Sequence, residues 1–304
     1  MSGMERAEQR GAQLVEAWRE QGDIEVVGGH EIFVVEQGPA EAPPIVLLHG
    51  FPGSSFDWRQ VVAALAVRWR VVSFDFLGYG LSAKPFDDAY SLFDQADLTT
   101  ELLLAHGVRR ATLVAHDMGD TVAAELLVRA NERRSDVEWA GCVLTNGSIF
   151  IDMAQLTAGQ QGLLAMPDEP LANSLGFDGL RHGLQASFPP DRPAPDELDA
   201  MVQLTMHAEG DRLLPRVIRY IEQRRRHQPR WTAGLADFPG PMVAAWGDLD
   251  PIAVPAMPDR LRGLRDEAGL EIEVVHWPDV GHWPSVEAPD LVAGLVADRA
   301  AAWW

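Results

Sequence analysis

The chain has 304 residues, 47% of them hydrophobic, which suits one domain with a sizeable insertion as well as two domains. Its formal net charge of −20 opposes binding to nucleic acid or to an anionic membrane, and its single cysteine, Cys142, excludes an internal disulfide and a Cys-rich zinc site. The charged start "MSGMERAEQRGAQLVEAWRE" lacks the apolar stretch of a signal peptide, and no run reaches the roughly 18 apolar residues of a membrane span, so a cytoplasmic location is expected.

Short apolar runs at 24–27, 32–36, 45–49, 71–75, 111–116, 142–146, 242–247 and 272–276 read as strands. Several are near-continuous in Val, Ile and Leu, as strands covered on both faces are. Helical patterns at 58–67, 92–106, 118–130 and 285–302 lie between them. This alternation predicts an α/β fold with a mostly parallel sheet. It stops after Asn146: from 149 to 230 there is no strand pattern, only Pro-rich joints such as "FPPDRPAPDEL" and helix-like stretches at 198–209 and 216–226. It resumes at Pro241. The expected organisation is a first core part, 1–148, a helical cap, 149–230, and a second core part, 231–304. The cap would lie over the C-terminal ends of the strands, where open α/β sheets bind ligands.

The segment "TLVAHDMGDTVAAELL" runs from a strand through a tight turn into a helix, with Asp117 at the apex and small residues, Ala115 and Gly119, flanking it. That layout describes a nucleophile elbow, in which the apex side chain projects above the sheet at a helix N-terminus that favours negative charge. An elbow nucleophile is followed in the chain by an acid and then a histidine. After the strand at 242–247, "GDLDPIAVP" offers Asp248 and Asp250; after the strand at 272–276, "DVGHWPSVEAP" offers His282. A further strand ends in His49-Gly50-Phe51-Pro52, which can aim the Phe51 N–H at a developing oxyanion, with the N–H of Met118 as second donor.

"HGFPGSSFDW", "DFLGYGLSAKP", "VAHDMGDTVAAELL", "GDLDPI" and "GHWPSVEAP" resemble the α/β-hydrolase superfamily, in its epoxide hydrolase and haloalkane dehalogenase branch. "VVSFDFLGYGLSAKP", "HDMGDTVAAELL", "LTNGSIF" and "RYIEQRRRHQPRW" are most similar to the mesoderm-specific transcript protein family, from about Trp18 onward. The resemblance implies an α/β-hydrolase fold: a mostly parallel eight-stranded sheet with helices on both faces and a helical cap. It selects Asp250 as the acid, leaving Asp248 to brace its loop. It also matches Tyr220 to the second cap tyrosine of epoxide hydrolases, a proton donor, while the first has no counterpart and His182 or His207 would have to substitute.

A serine at position 117 would need a base to attack; a carboxylate, with an ordinary pKa near ~4, is already ionised. Asp117 can therefore attack a saturated carbon directly and form an alkyl ester, which a water activated by His282 then hydrolyses. No cofactor or metal is needed. The expected substrate is a small apolar epoxide or haloalkane, contacted by His49, Pro52, Trp283 and His182. Dehalogenation is disfavoured because Phe51 and Met118 carry no side-chain N–H for a halide. A non-catalytic scaffold acting as a binding protein is the alternative of a different class. Asp120 is explained by the helix dipole, and Arg224-Arg225-Arg226 by a solvated cap-helix face. The final "AAAWW" packs either on the sheet or on a second subunit of a homodimer.

Overall fold

The computed structural model describes residues 3–304, with side chains from residue 9 onward. Eight strands form one sheet: β1 (Asp23–Val27), β2 (His30–Gln37), β3 (Pro44–Leu48), β4 (Arg70–Phe74), β5 (Arg110–His116), β6 (Glu138–Thr145), β7 (Met242–Gly247) and β8 (Glu273–Trp277). Their order is β1-β2-β4-β3-β5-β6-β7-β8. The β1–β2 and β2–β4 pairs are antiparallel, and every other pair is parallel. The helices are α1 (Gly3–Arg19), α2 (Arg59–Leu65), α3 (Leu92–Ala105), α4 (Met118–Asn131), α5 (Ala158–Ala165), α6 (Phe177–Gln185), α7 (Pro195–Met206), α8 (Leu214–Val217), α9 (Tyr220–Asp237), α10 (Ala256–Glu267), α11 (Pro284–Glu287) and α12 (Pro289–Trp303).

The apolar strand runs have a simple cause. Val46 and Leu48 of β3, Ala115 of β5 and Ala244 of β7 face one core, built with α3, α4, α9 and α10. Ile45 and Leu47, Val114, Val243 and Ala245 face a second core, built with α2 and α12. Side chains alternate faces along a strand, so two covered faces demand an unbroken apolar run. Trp303 packs on the second core with its ring against Gly141, while the exposed Trp304 donates its Nε1 to Thr112 Oγ1 at 3.1 Å. The chain thus ends on its own sheet.

Five helices, α5 to α9, intervene between β6 and β7. The boundary expected at residue 230 falls inside α9, an 18-residue helix that begins in the insertion and ends against the core. Gly234 lets α9 approach α4 closely, since a methyl there would collide with Val128. Buried Glu125 of α4 ties the two together by accepting from Arg230 Nε at 2.8 Å and Trp231 Nε1 at 3.0 Å. The N-terminal helix α1 packs on α7 of the insertion, with Gly11 against Asp199 and Ala200. Among the described residues no helix is long and apolar enough to cross a membrane.

Candidate active site

The turn after β5 holds Asp117 at φ 47°, ψ −110°. A non-glycine residue with positive φ is costly and persists only where its surroundings fix it. Here the Asp117 N–H donates to Thr145 O at 3.2 Å, and Asp117 O accepts from Asp120 N at 3.1 Å. The glycines are required by close approach: a methyl on Gly119 would lie 2.7 Å from the carbonyl oxygens of His49 and Leu48, and one on Gly50 would lie 2.7 Å from Asp117 Cβ. These contacts bring the β3 loop against the elbow. As a result, Phe51 N donates to Asp117 Oδ2 at 2.9 Å. The Met118 N–H, first of α4, has no intrahelical acceptor.

Asp117 is 2% exposed. Burial acts to raise its pKa, but Arg224, His282, His116 and the Phe51 N–H together hold it below the ordinary carboxylate value, so it stays ionised. The other half of the constellation comes from two loops beyond the insertion. His282 Nδ1 lies 2.8 Å from Asp250 Oδ2, both side chains being buried. Asp250 Oδ1 accepts from Ile252 N at 2.7 Å and Ala253 N at 2.9 Å. Burial pulls the His282 pKa down, yet Asp250 and then Asp117 outweigh it, and the pKa stands above the usual imidazole value. Asp248 turns instead to His276, its Oδ1 2.6 Å from Nδ1, and braces the loop to β8.

Above this lies a cavity of about 350 Å³ between the core loops and the insertion. Phe51, Pro52, His282 and Trp283 form its floor, and α5, α6 and α7 contribute mostly apolar walls. His282 is the sole titratable side chain among the lining residues. Asp117 is not part of the wall; Phe51, which donates to it, and His282, which acts on it electrostatically, are.

A family model described as the alpha/beta hydrolase family matches residues 45–295. The chain belongs to this family. This α/β hydrolase is 38% identical over 283 residues to "Putative hydrolase LipZ" of Mycobacterium tuberculosis, covering 92% of this chain and 95% of the relative. It is 34% identical over 286 residues to the mesoderm-specific transcript protein of Mus musculus, covering 90% and 84%. Among solved structures, the haloalkane dehalogenase DbeA of Bradyrhizobium elkani aligns over 92% of this chain and 99% of its own, with TM-score 0.72 and 24% identity, a likeness of fold.

Several residues of this α/β hydrolase sit otherwise than their sequence suggests. His49 does not reach the cavity: its Nε2 accepts from Phe76 N at 2.9 Å and its Nδ1 faces Gly50 O at 2.8 Å, while burial holds its pKa down to about 4. It is a neutral brace for the loop after β3. His182 is exposed on α6, because a helix that turns Gly179, Leu180, Gly183 and Leu184 into the cavity carries position 182 outward. His207 likewise lies outside the lining. Asp120 is not a solvated dipole partner: it is fully buried, no hydrogen bond of good geometry reaches its carboxyl, and burial outweighs Arg224 and the nearby backbone of Thr145 and Gly147 to raise its pKa well above the usual value.

Tyr220 is 1% exposed, its ring 5.5 Å from that of Phe51 and its hydroxyl facing the Gln160 side chain, which lines the cavity. Burial and Asp117 raise its pKa. The arginine run is divided: Arg225 and Arg226 are exposed, but Arg224 is 1% exposed and its Nη2 donates to Asp117 O at 2.6 Å. The helical repeat could have revealed this, since Arg224 is four residues after Tyr220 and shares its face. Asn146 and Tyr79 carried no such signal. Asn146 Nδ2 donates to Asp250 Oδ2 at 2.8 Å, and the Tyr79 hydroxyl donates to Met118 Sδ at 3.1 Å.

Proposed function

We propose that this α/β hydrolase opens a small apolar epoxide to a diol through a covalent ester at Asp117. The observation that carries the reading is the ionised Asp117 carboxylate, raised on a strained elbow with Oδ2 held by the Phe51 N–H. With Oδ2 so held, Oδ1 is the oxygen that attacks the ring carbon. The C–O bond breaks, and the ring oxygen takes a proton from Tyr220. His282, oriented by Asp250, then removes a proton from water, whose oxygen attacks Cγ of Asp117. The negative charge moves to Oδ2, between the Phe51 and Met118 N–H groups. Collapse breaks the Cγ–Oδ1 bond, the departing alkoxide takes the proton from His282 to give the diol, and the second water proton passes to Tyr220, leaving Asp117 a carboxylate. Water and epoxide enter and a diol leaves, with no cofactor or metal.

A halide would need donors this floor lacks. Phe51 and Met118 have no side-chain N–H, and Trp283 Nε1 already donates to Ser187 Oγ at 2.8 Å. The mostly apolar cavity supports an apolar substrate taken up from water as a single molecule. One observation favours a second reading, a binding protein that keeps the triad: Asp117 is 2% exposed and lies outside the cavity wall, so attack requires the floor to open.

The test is a single turnover with a panel of apolar epoxides in ¹⁸O water, followed by mass analysis of the peptide carrying Asp117. Label entering that carboxylate supports the ester. Diol formation that survives in Asp117→Ala excludes it. Halide release from chloro- and bromoalkanes identifies a dehalogenase, and ligand binding without any turnover identifies the scaffold.

A further inference from the structure

We propose that Arg224 is a positioning residue for this reaction: from the last helix of the insertion it locks the elbow's backbone carbonyl and sets a fixed positive charge beside both Asp117 and Tyr220. The proposal rests on Asp117 being the nucleophile.

The geometry singles Arg224 out. Its Nε donates to Thr121 Oγ1 at 2.7 Å and its Nη2 to Asp117 O at 2.6 Å, while the same Nη2 stands 3.6 Å from Asp117 Oδ1. Its guanidinium carbon lies 4.7 Å from the centre of the Tyr220 ring. A buried guanidinium survives only with partners that replace water, and both hydrogen bonds found here go to the elbow helix or its apex. Docking of α9 has other anchors as well. Glu125 already anchors that helix through Arg230 and Trp231, and Gly234 lets it seat on α4. What Arg224 adds is a grip on the carbonyl of Asp117, whose backbone is strained.

The charge has a use in each step. In the resting site it opposes the carboxylate. When Oδ1 bonds to carbon, Asp117 becomes a neutral ester and the negative charge passes to the ring oxygen and, as the proton moves, to Tyr220, still beside the guanidinium. When water attacks, the charge returns to Asp117 as an oxyanion. A cation fixed 3.6 Å from Asp117 Oδ1 and 4.7 Å from the centre of the Tyr220 ring serves both residues without rearrangement between steps. Asp120 of α4 does not compete for Arg224, because burial favours its neutral form. The other titratable groups acting on Asp117 are His282, His116, His49, Tyr79 and Tyr220.

The variants are Arg224→Met, which removes the charge, Arg224→Lys, which keeps it without the two-point grip, and Thr121→Val, which removes only the Nε acceptor. Two readouts are taken on each full-length, folded variant. One is the pH dependence of single-turnover ester formation, followed by mass at the Asp117 peptide. The other is the titration of the Asp117 carboxyl by infrared spectroscopy of ¹³C-aspartate protein, assigned by difference against Asp117→Asn, which needs no turnover. In R224M, the Asp117 titration and the acid limb of ester formation should both move to higher pH, with ester formation slowed on the order of 10- to 100-fold. R224K should restore the titration but only part of the rate, and T121V should slow the reaction without moving the titration. An unmoved Asp117 titration in R224M, with only a lower melting temperature, overturns the proposal; should R224M fail to fold, Arg224→Gln replaces it under the same criterion. A moved titration in a protein whose wild type forms no ester keeps the charge coupling and rejects the nucleophile reading.

Discussion

The side-chain amide of Asn146 donates to Asp250 Oδ2 at 2.8 Å, the same oxygen that faces His282 Nδ1 at 2.8 Å. Asn146 sits at φ 48° just past β6, where its Oδ1 also accepts from Gly247 N at 2.9 Å. It thereby pins the acid loop to the sheet and fixes which oxygen meets the histidine. Asn146→Gly keeps the backbone conformation and deletes the amide. Ester hydrolysis should slow on the order of 10- to 100-fold, the cost of a hydrogen bond to a charged group. Ester formation, which does not use His282 as base, should change far less. Rapid-quench mass analysis checks this through accumulation of the alkylated Asp117 peptide; equal slowing of both steps would refute it.

In the proposed mechanism His282 must be neutral to act as a base, and its pKa stands above the ordinary imidazole value of 6.5. The hydrolysis rate should therefore rise with pH through a limb above 6.5 and then level off. Asp250→Asn removes the leading cause that raises the pKa and leaves burial, which lowers it. The limb should move to lower pH while the plateau falls. The same raised pKa carries a stability contribution that is present below the unfolded value near 6.5 and lost as pH rises through the folded value. A hydrolysis limb unmoved in D250N would show that another group titrates.

Asp120 is a carboxyl held neutral by burial in the folded chain, whereas in the unfolded chain it ionises near the ordinary aspartate value of 3.8. The unfolded state then binds fewer protons, so this residue destabilises the fold progressively as pH rises above 3.8. Asp120→Asn, nearly isosteric, should unfold at a higher temperature than the wild type at pH 8, and the gap should shrink toward pH 4. Calorimetry across that range checks both the sign and the trend. Larger replacements are a poorer test, because the carboxyl packs directly on Gly147.

Gly162 of α5 and Gly179 and Gly183 of α6 line the cavity, and a methyl added at any of them would meet nothing within 4 Å. None has a positive φ. A helical glycine costs about 1 kcal/mol relative to alanine. Alanine at each position should raise the melting temperature, and leucine at 179 or 183 should weaken binding of branched or long apolar ligands more than short ones. Displacement of a fluorescent apolar dye by alkanols of increasing length measures that slope. Weakening that is uniform in chain length would mean that the ligand lies elsewhere.

Much of the architecture is written in local pattern. All eight strands lie where apolar runs interrupt helical spacing; the central ones are covered on both faces and so must be apolar at nearly every position, whereas the edge strands β1 and β8 leave much of their length exposed. Helix α10, "AMPDRLRGLRDE", escapes that logic: half of it is charged, and it is held by the few side chains it buries, Met257, Pro258, Leu261 and Arg265. Asp117, Asp250 and His282 can be picked out because each follows the C-terminal end of a parallel strand, β5, β7 and β8, in the chain order an elbow requires; the sheet, with β6 between β5 and β7, then puts those ends on one edge.

Tertiary structure decided the rest, wherever a side chain's surroundings come from a distant segment. Arg224 resembles its exposed neighbours in sequence, and only the seating of α9 on α4 turns it toward the elbow. His49 and His182 were equally plausible as ligand contacts until backbone groups claimed the first and helix phase turned the second outward. Asp120 has the same side chain as Asp117, three residues away, yet one is neutral and the other ionised. The strand–turn–helix pattern fixed where a carboxylate would stand; the cation and N–H groups brought to it by remote parts of the chain decided which carboxylate keeps its charge.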